Sequence, residues 1–355
     1  MAASHGIRLR VGVIGLGRLW EARHKPALAR LSDRFRVAAV YDQVARRAAN
    51  EAAQIGCAAT VGVAELVNRP DVDVIYLLTP QWFGSYAIEL ACEARKPIYC
   101  ALPIAADPPA LEAAAARIKV SQTPFMPELA RRFYPVTLRL KELIATSLGK
   151  PRLVLGQSRL YGFDRYGRPG PSTQNAPVPL AIDPGGYLLD WCRFIFEGAP
   201  IALQGFGGLV LADRPDHDDR LLERADDDFE SFHAVFAEGG IAQIAIARFN
   251  PKTLGDAIKF LPPSGFQVFT EHGAALLEMP DRIQWRDAQG NHDERLPLEP
   301  TVGEMLNDQF HRMVRGEHSL APTLDDALAL TRQIDVLNRS RAERRTIDLT
   351  DTSIS

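Results

Sequence analysis

The amino-acid sequence predicts an α/β protein with an N-terminal parallel sheet and a C-terminal α+β domain built on a large, mostly antiparallel open sheet. The chain has 355 residues, 46% of them hydrophobic and 24% charged, which is enough for two domains with separate cores. Up to about residue 125, short apolar runs alternate with alanine-rich stretches, and from residue 150 the apolar runs are longer and β-rich. We therefore predict domains at residues 1–125 and 126–355, and allow for a C-terminal helix that packs back on the first domain.

The first domain begins with the β-branched run RLRVGVIGL, which suits a strand buried on both faces. Further strands are predicted at VAAVYD, DVIYLL and PIYCAL, and helices at RRAANEAAQI, SYAIELACEA and LEAAAARIKV. This alternation is typical of the βαβ units of a Rossmann domain, which binds dinucleotides. Pro26 lies too far into the first helical stretch for an uninterrupted helix but could begin a second short one, so we expect a broken first helix.

The second domain has strands predicted at RLVLGQSRL, ALQGFGGLVLA, SFHAVFAE, GIAQIAIARF and GFQVFT, separated by Gly, Asp and Asn turns. A helix is expected from about Gly185 to Phe196, and two more between Val302 and Arg341, on either side of the turn GEHSLAP. The segment from Gly162 to Pro179 is rich in Gly, Pro and Arg. A loop of that length is often functional or disordered.

The composition argues against several classes of function. A formal net charge of −3 and a pI near 6.3 give no electrostatic reason to bind nucleic acid or an acidic membrane surface, so the expected partner is a small molecule. The four cysteines lack metal-ligand spacing and are expected to be reduced core residues, and no metal site is predicted. No signal-like segment and no run near the ~18 apolar residues of a membrane span is present, so a cytoplasmic protein is expected.

A glycine turn follows the first strand. Gly15 and Gly17 place backbone N–H groups and a helix N-terminus where a pyrophosphate could bind, and Arg18 and Leu19 continue the turn. Asp42 ends the next strand, 25 residues beyond Gly17, near the position where a carboxylate would bind the adenosine ribose. Two alternatives stay open: a tight turn without a ligand, and an Asp42 that caps the following helix, which would begin at the next residue.

The residues around this turn leave open whether a dinucleotide binds and whether it is NAD or NADP. The charge of Asp42 disfavours a 2′-phosphate and so favours NAD, although Arg46 and Arg47 nearby keep NADP possible. Trp20 argues against dinucleotide binding, because it occupies the place of the third glycine of the GxGxxG fingerprint, which permits close helix packing. An indole there must point away, tilt the helix or fill part of the pocket.

Short motifs recur along the chain in a characteristic order. In the first domain they are Gly15-Leu-Gly17-Arg18, His24-Lys-Pro26-Ala-Leu28, Asp71-Val-Asp73-Val-Ile, Thr79-Pro80 and Ala94-Arg-Lys96-Pro97. In the second they are Arg132-Phe-Tyr-Pro135, Gly149-Lys-Pro151, Asp183-Pro-Gly185-Gly-Tyr187-Leu-Leu-Asp190, Asp325-Asp-Ala327 and Ser340. Taken together, these motifs resemble the Gfo/Idh/MocA oxidoreductases, and the resemblance covers nearly the whole chain.

The resemblance implies a fold and an activity. Members of this family pair a Rossmann domain with an α/β domain whose open sheet often forms the dimer interface, and they typically oxidise or reduce sugars, cyclitols or related diols with NAD or NADP. We therefore expect an NAD(P)-dependent oxidoreductase that acts on a hydroxyl or carbonyl of such a molecule, as a homodimer or higher homo-oligomer. The resemblance also implies that Thr79 and Pro80 belong to the cofactor site.

The chain departs from the family at the residue that usually transfers the proton, the lysine of a Glu-Lys-Pro motif. The matching stretch is Ala101-Leu102-Pro103, with Leu102 in place of the lysine. Such acid–base help is worth ~10²- to 10⁴-fold in rate, or roughly 3 to 5 kcal/mol. Lys96 cannot substitute directly, because it lies at the other end of the strand, on the order of 20 Å away at ~3.3 Å per residue. Gly84 stands where many members carry a histidine.

The second-domain motif keeps candidates for proton transfer. Asp183, Tyr187 and Asp190 are spaced so that they can share one helix face. The family places a catalytic histidine at the position of Tyr187, and members related to dihydrodiol dehydrogenase place a tyrosine there, so Tyr187 and Asp183 are the candidate catalytic residues. A phenol of unperturbed pKa ~10 needs a nearby positive charge to act as a base at neutral pH, which Arg131 or Arg132 could provide. The alternative is that Tyr187 packs against the sheet while Asp183 caps the helix.

Substrate contacts are expected from two places. The arginine-rich loop contributes Arg165 and Arg168, and the region around the candidate tyrosine contributes Arg131, Arg132 and Asp190. The isolated His217, His233 and His311 are expected to be surface or packing residues, and the acidic run at 226–228 a solvated turn.

Two hypotheses follow from the sequence. The first is the NAD(P)-dependent oxidoreductase described above. The second is a catalytically silent nucleotide- or ligand-binding protein of the same fold, motivated by Trp20, Gly84 and Leu102.

Overall fold

The structure of the chain is a computed structural model that describes residues 8–78, 83, 85–102, 104, 108–161, 187–208, 229–249 and 265–350. The chain divides into two compact units, Met1–Ala130 with Glu299–Arg332, and Arg131–Leu298 with Gln333–Ser355. By this division the first continuous segment of the first unit ends at Ala130. Residues Glu299–Arg332, from the C-terminal part of the chain, also belong to that unit.

The first unit is built on a parallel sheet. Its strands among the described residues are β1 (Leu9–Ile14), β2 (Phe35–Tyr41), β3 (Ala58–Ala59), β4 (Val74–Leu77), β5 (Ile98–Cys100) and β6 (Phe125–Pro127). All pairs are parallel and the order is β3-β2-β1-β4-β5-β6, which is that of a dinucleotide-binding Rossmann sheet. The predicted Rossmann domain is confirmed.

The helices follow the predicted alternation. Along the chain they are α1 (Lys25–Arg30), α2 (Ala45–Ile55), α3 (Val63–Val67), α4 (Tyr86–Glu93), α5 (Pro108–Ser121), α6 (Pro135–Leu143), α7 (Tyr187–Phe196), α8 (Val302–Val314) and α9 (Leu324–Glu343). The helix predicted from about Gly185 is described from Tyr187 onward, and α8 and α9 flank the turn GEHSLAP as expected. None of the helices in the described part of the chain is both long and apolar enough to cross a membrane.

The first helical stretch is broken, as predicted. The chain is helical from Arg18, a π-helical turn spans Trp20–His24, and α1 follows directly with Pro26 in its first turn. Proline is tolerated there because the first N–H groups of a helix have no intrahelical partner. The π-helical turn contains one extra residue, and both Trp20 and His24 point into the protein.

The two faces of the Rossmann sheet carry different cores. Ile75 of β4 and Ile98 of β5 belong to an apolar cluster with α3, α4 and α5. On the opposite face the rings of Tyr76 and Tyr99 stack with their centroids 4.8 Å apart. Phe310 of α8 packs edge-on against both tyrosines, at 5.4 and 5.6 Å.

The second unit is built on one large sheet. Its strands among the described residues are β7 (Pro151–Tyr161), β8 (Pro200–Gly208), β9 (Phe229–Phe236), β10 (Ile241–Phe249), β11 (Gly265–Thr270), β12 (Ala274–Glu278), β13 (Arg282–Asp287), β14 (Gly290–Arg295) and β15 (Ile347–Asp348). The order is β14-β13-β12-β11-β7-β10-β9-β8-β15, and every described pair except β7–β10 is antiparallel. The predicted open, mostly antiparallel sheet is confirmed, and β12 to β14 extend it beyond the predicted strands.

Candidate functional site

The glycine turn after β1 has the geometry that a nucleotide turn needs. Gly15 has a φ of 97°, a left-handed conformation that favours glycine, and its N–H donates to the carbonyl of Tyr41 at 2.9 Å. A Cβ built on Gly17 would meet no atom within 4 Å, so open space lies in front of that residue. The helix that starts at Arg18 directs its N-terminus toward this turn, where an anion is favoured.

Asp42 connects the end of β2 to the glycine turn. Its carboxylate is 7% exposed and accepts hydrogen bonds from the N–H groups of Leu16 and Val44, each at 2.9 Å. The guanidinium of Arg47 lies 3.2 Å from both carboxylate oxygens. The helix-cap alternative is wrong, since α2 begins at Ala45 with Val44 as its N-cap and no side-chain cap hydrogen bond.

Trp20 does not project across the glycine turn. Its side chain is 1% exposed, and its indole N–H donates to the Oε1 atom of Glu51, in the middle of α2, at 2.8 Å. Lys25 pairs with the same carboxylate at 2.8 Å. Of the three possibilities that the sequence leaves, the indole therefore takes the first and points away.

The remaining residues near the predicted cofactor site are partly described. Arg18 and Leu19 are half-buried, and burial lowers the pKa of the Arg18 guanidinium. Thr79 and Pro80 lie outside the described residues, as does Gly84.

The position of the missing lysine is filled by an apolar side chain. Leu102 is half-buried and packs against the apolar cluster under α4 and α5, together with Phe83. Lys96 precedes β5 and donates to the carbonyls of Val67 and Arg69 at 2.6 and 2.7 Å. Lys96 therefore has a structural role, and it lies at the amino end of the strand, where the sequence places it.

A buried ionic cluster lies at the carboxyl end of β6 in the first unit. Glu128, which directly follows β6, is 7% exposed and ion-paired with Arg23, and its Oε2 atom lies 3.0 Å from Nε2 of His24. Burial alone would raise the pKa of this carboxyl, but the charges and hydrogen bonds of Arg23 and His24 outweigh it and hold the pKa at about 2. The His24 ring packs edge-on against Tyr99 at 5.0 Å. The cluster therefore joins the π-helical turn to β6.

The sequence gives only a weak signal for this cluster. His24 appears in the family-like motif, but its partner does not, because Glu128 stands alone in the stretch FMPELARRF. An isolated acid directly after a buried parallel strand is the one signal that could have indicated it.

The candidate proton-transfer residue begins a helix in the second unit. Tyr187 is half-buried and is the first residue of α7, and Asp190 lies one turn further on and is 1% exposed. Both carboxylate oxygens of Asp190 are held by Arg132, through Nε at 2.9 Å and Nη2 at 2.6 Å. Arg131 is 2% exposed. The structure thus pairs two of the predicted substrate ligands, Arg132 and Asp190, with each other.

Several other predicted residues lie outside the described residues. They are Asp183, Arg165, Arg168, His217 and residues 226–228. His311 is 7% exposed and packs edge-on against Phe35 at 5.4 Å, and the half-buried His233 packs against Phe206 at 5.9 Å. These two histidines are packing residues, as expected. Across the described ranges, no three His, Cys, Asp or Glu side chains come together as a possible metal site.

Comparison with known proteins places this geometry in a family. Residues 9–128 match the family model GFO_IDH_MocA, described as an oxidoreductase family with an NAD-binding Rossmann fold. This Rossmann domain belongs to the Gfo/Idh/MocA oxidoreductase family. Inositol 2-dehydrogenase 2 of Mycolicibacterium vanbaalenii is 32% identical over 164 residues, which cover 44% of this chain and 47% of that protein. The chain spans about half the length of the curated relatives it matches.

Solved structures extend the likeness of fold from the Rossmann domain to the whole chain. A putative myo-inositol dehydrogenase from Sinorhizobium meliloti has a TM-score of 0.75 at 22% identity, with 96% of this chain and 99% of that one covered. Levoglucosan dehydrogenase, solved in complex with NADH and levoglucosan, has a TM-score of 0.77 at 19% identity, with 97% and 100% covered. The second unit therefore shares its fold with these enzymes.

Proposed function

We propose that this protein is an NAD-dependent oxidoreductase that acts on a hydroxyl or carbonyl of a sugar-, cyclitol- or diol-like molecule. The observation that carries the proposal is the pairing of the glycine turn with Asp42 in a Rossmann sheet of the Gfo/Idh/MocA family. The first unit would bind the cofactor, and the second would supply the proton-transferring group. The inositol 2-dehydrogenases among its relatives and the levoglucosan dehydrogenase fold favour a polyol as the substrate class.

The residues of the first unit fit a dinucleotide. Gly17 leaves room for a pyrophosphate beside the helix that begins at Arg18, and Gly15 gives the turn its left-handed bend. A nicotinamide cofactor held by this turn would supply the hydride acceptor or donor for interconverting a carbinol and a carbonyl. The chain itself must bind and orient both molecules and move the hydroxyl proton.

NAD is the favoured cofactor in this proposal. Asp42 lies at the end of β2, and its carboxylate accepts a hydrogen bond from the N–H group of Leu16 in the glycine turn. A negative charge at the end of β2 disfavours the 2′-phosphate of NADP. The ion pair with Arg47 offsets part of that charge, and Arg46, which is exposed, lies beside it. We therefore expect a preference for NAD over NADP rather than complete exclusion of NADP.

Tyr187 is the proposed proton-transferring group. The family resemblance matches Tyr187 to the position of a catalytic histidine, and Leu102 cannot take or give a proton. Asp183 and the loop arginines Arg165 and Arg168 remain proposed partners of the substrate, as does the buried Arg131. A positioned acid or base of this kind typically contributes ~10²- to 10⁴-fold to the rate.

The proposal is tested by NADH formation with a panel of polyols that includes myo-inositol, levoglucosan and several aldoses. We expect turnover with at least one of them, and a loss of roughly 10²-fold or more in kcat for Tyr187→Phe with unchanged cofactor affinity. Full activity of that variant would refute the role of Tyr187.

A second candidate is a catalytically silent nucleotide-binding protein, and the observation that favours it is the apolar packing of Leu102. Micromolar binding of NADH without turnover of any panel member would support this alternative. Restoring the family residue with Leu102→Lys then gives a direct check, because gain of activity would identify the lost lysine as the cause.

We also propose that the protein forms a homodimer through the open face of the large sheet. Cross-strand neighbours Phe269, Leu153 and Ile241 form an apolar row on this face, and Phe269 and Ile241 are 40% and 44% exposed. Apolar surface of this kind is common at subunit interfaces. Light scattering should give twice the chain mass, and the variant Phe269→Lys should give the monomer mass; a monomeric wild type would contradict the proposal.

A further inference from the structure

We infer that the buried ion pair between Arg132 and Asp190 positions Tyr187 for proton transfer. This inference rests on the proposed role of Tyr187. The two oxygens of Asp190 accept from Nε and Nη2 of Arg132 at 2.9 and 2.6 Å, which is a bidentate geometry. The side chain of Arg132 is 11% exposed and the side chain of Asp190 is 2% exposed, so the pair is shielded from solvent.

The pair fixes the rotation of α7 from outside the helix. Arg132 comes from a short 3₁₀ turn, Ala130–Phe133, whereas Asp190 lies in the first turn of α7. A planar guanidinium that bonds both carboxylate oxygens restricts the approach angle more than a single hydrogen bond does. The Arg132 guanidinium also lies 5.3 Å from the ring centroid of Phe194, one turn beyond Asp190, which adds a second contact to the same helix.

The ion pair reaches Tyr187 through one turn of helix. Residues three apart on a helix lie on the same face, with their Cβ atoms about 5 to 6 Å apart. The bidentate pair at Asp190 therefore anchors the turn of α7 that carries Tyr187, and this limits the movement of the phenol.

This geometry gives Arg132 and Asp190 a role that differs from direct substrate binding. Both oxygens of Asp190 already have a partner, and Asp190 is 1% exposed. Breaking a buried bidentate pair to reach a substrate would leave an unpaired buried charge. We therefore assign the two residues as positioning residues that act through Tyr187.

The first test measures the position of Tyr187 without turnover. Tyrosine labelled with ¹³C at Cζ gives one signal that is absent from Tyr187→Phe and is thereby assigned. We expect Asp190→Asn to shift or broaden this signal. The matched control is Thr137→Val, a substitution of similar shape that removes the hydrogen bond from Trp191 Nε1 to Thr137 Oγ1 at 3.0 Å and so loosens α7 on a neighbouring face. The control should leave the Tyr187 signal in place.

The second test measures turnover with NAD+ and the best polyol of the panel. Asp190→Asn should lower kcat roughly 10- to 100-fold with little change in cofactor affinity, and Arg132→Lys should retain part of the activity because it keeps the charge but loses the bidentate contact. In the Tyr187→Phe background, Asp190→Asn should cause no further decrease, because its effect acts through the phenol.

The outcomes separate the inference from the proposed function. An unmoved Tyr187 signal in Asp190→Asn, or an equal loss of kcat in both tyrosine backgrounds, would overturn the positioning role. An equal effect of Thr137→Val would also overturn it, since any anchor of α7 would then suffice. A displaced signal without turnover of any polyol would leave the positioning role intact and refute the proposed oxidoreductase.

Discussion

The Oε2 atom of Glu128 lies 3.0 Å from Nε2 of His24 inside the Rossmann unit, and Arg23 pairs with the other carboxylate oxygen. The π-helical turn makes this possible, because it directs both side chains toward the end of β6. The cluster therefore couples the helix that follows the glycine turn to the opposite half of the Rossmann sheet.

The cluster predicts a pH dependence of stability. The pKa of Glu128 is held at about 2 in the folded protein and would be near its ordinary value of 4.5 in the unfolded chain. A depressed pKa stabilises the fold above the unfolded value, and at ~1.36 kcal/mol per unit the contribution is roughly 3 kcal/mol. This contribution should disappear as the pH falls from about 4.5 toward 2.

Urea unfolding of the wild type and of Glu128→Gln at pH values from 7 to 3 measures this effect. The variant should be less stable by roughly 3 kcal/mol or more at pH 7, since Arg23 and His24 lose their anionic partner. The difference between the two proteins should be constant above pH 5 and smaller at pH 3. A difference that does not change with pH would show that ionisation of Glu128 is not the source of its stabilisation.

The two glycines of the turn should respond differently to the same substitution. Gly15→Ala forces a left-handed conformation at φ 97° on a residue with a Cβ, so the free energy of unfolding should fall by about 1 kcal/mol or more. Gly17→Ala places its Cβ in open space, so stability should not change, but the methyl group should obstruct a pyrophosphate and weaken NADH binding.

Chemical denaturation and calorimetric titration of the two variants provide the comparison. Normal NADH affinity in a fully folded Gly17→Ala would argue that the dinucleotide does not approach this turn.

Trp20 should contribute to the stability of the fold and not to the affinity for the cofactor. Trp20→Phe keeps most of the buried volume but removes the hydrogen bond to Glu51, so we expect a loss of about 1 to 3 kcal/mol in the free energy of unfolding. The dissociation constant for NADH should stay at the wild-type value, because the indole points toward α2. Tighter NADH binding by this variant would mean instead that the indole restricts the nucleotide site.

The pair formed by Asp42 and Arg47 should set the preference between NADH and NADPH. Asp42→Asn removes the negative charge but keeps a side chain of the same shape, so NADPH should bind more tightly relative to NADH. Arg47→Gln exposes the Asp42 charge and should shift the ratio toward NADH. Parallel titrations with both cofactors measure the two ratios, and equal ratios in all three proteins would exclude this pair as the determinant.

The Rossmann unit could be predicted from sequence because its signals are local. Apolar strand runs, alanine-rich helices and Gly15 after β1 each indicate their own structure over a few residues. The break in the first helix was predictable from Pro26 for the same reason. The direction of Trp20 was not, because it depends on a partner on α2, 31 residues away in sequence.

The second unit shows where local signals fail. β14, with the sequence GNHDER, has no aliphatic or aromatic residue except His292, and it forms as the antiparallel partner of β13. The ion pair of Arg132 and Asp190 likewise joins positions 58 residues apart, so the sequence could suggest that both belong to the site but not that they bind each other. Roles that depend on long-range pairing required the structure.

A titration of the purified protein with NADH and NADPH, followed by nicotinamide fluorescence, tests most directly whether this protein binds a nicotinamide cofactor. We expect saturable binding of NADH in the micromolar range and weaker binding of NADPH. Absence of binding of either nucleotide at millimolar concentration would contradict the proposed NAD-dependent function, because a Rossmann unit with an open glycine turn would then have no cofactor.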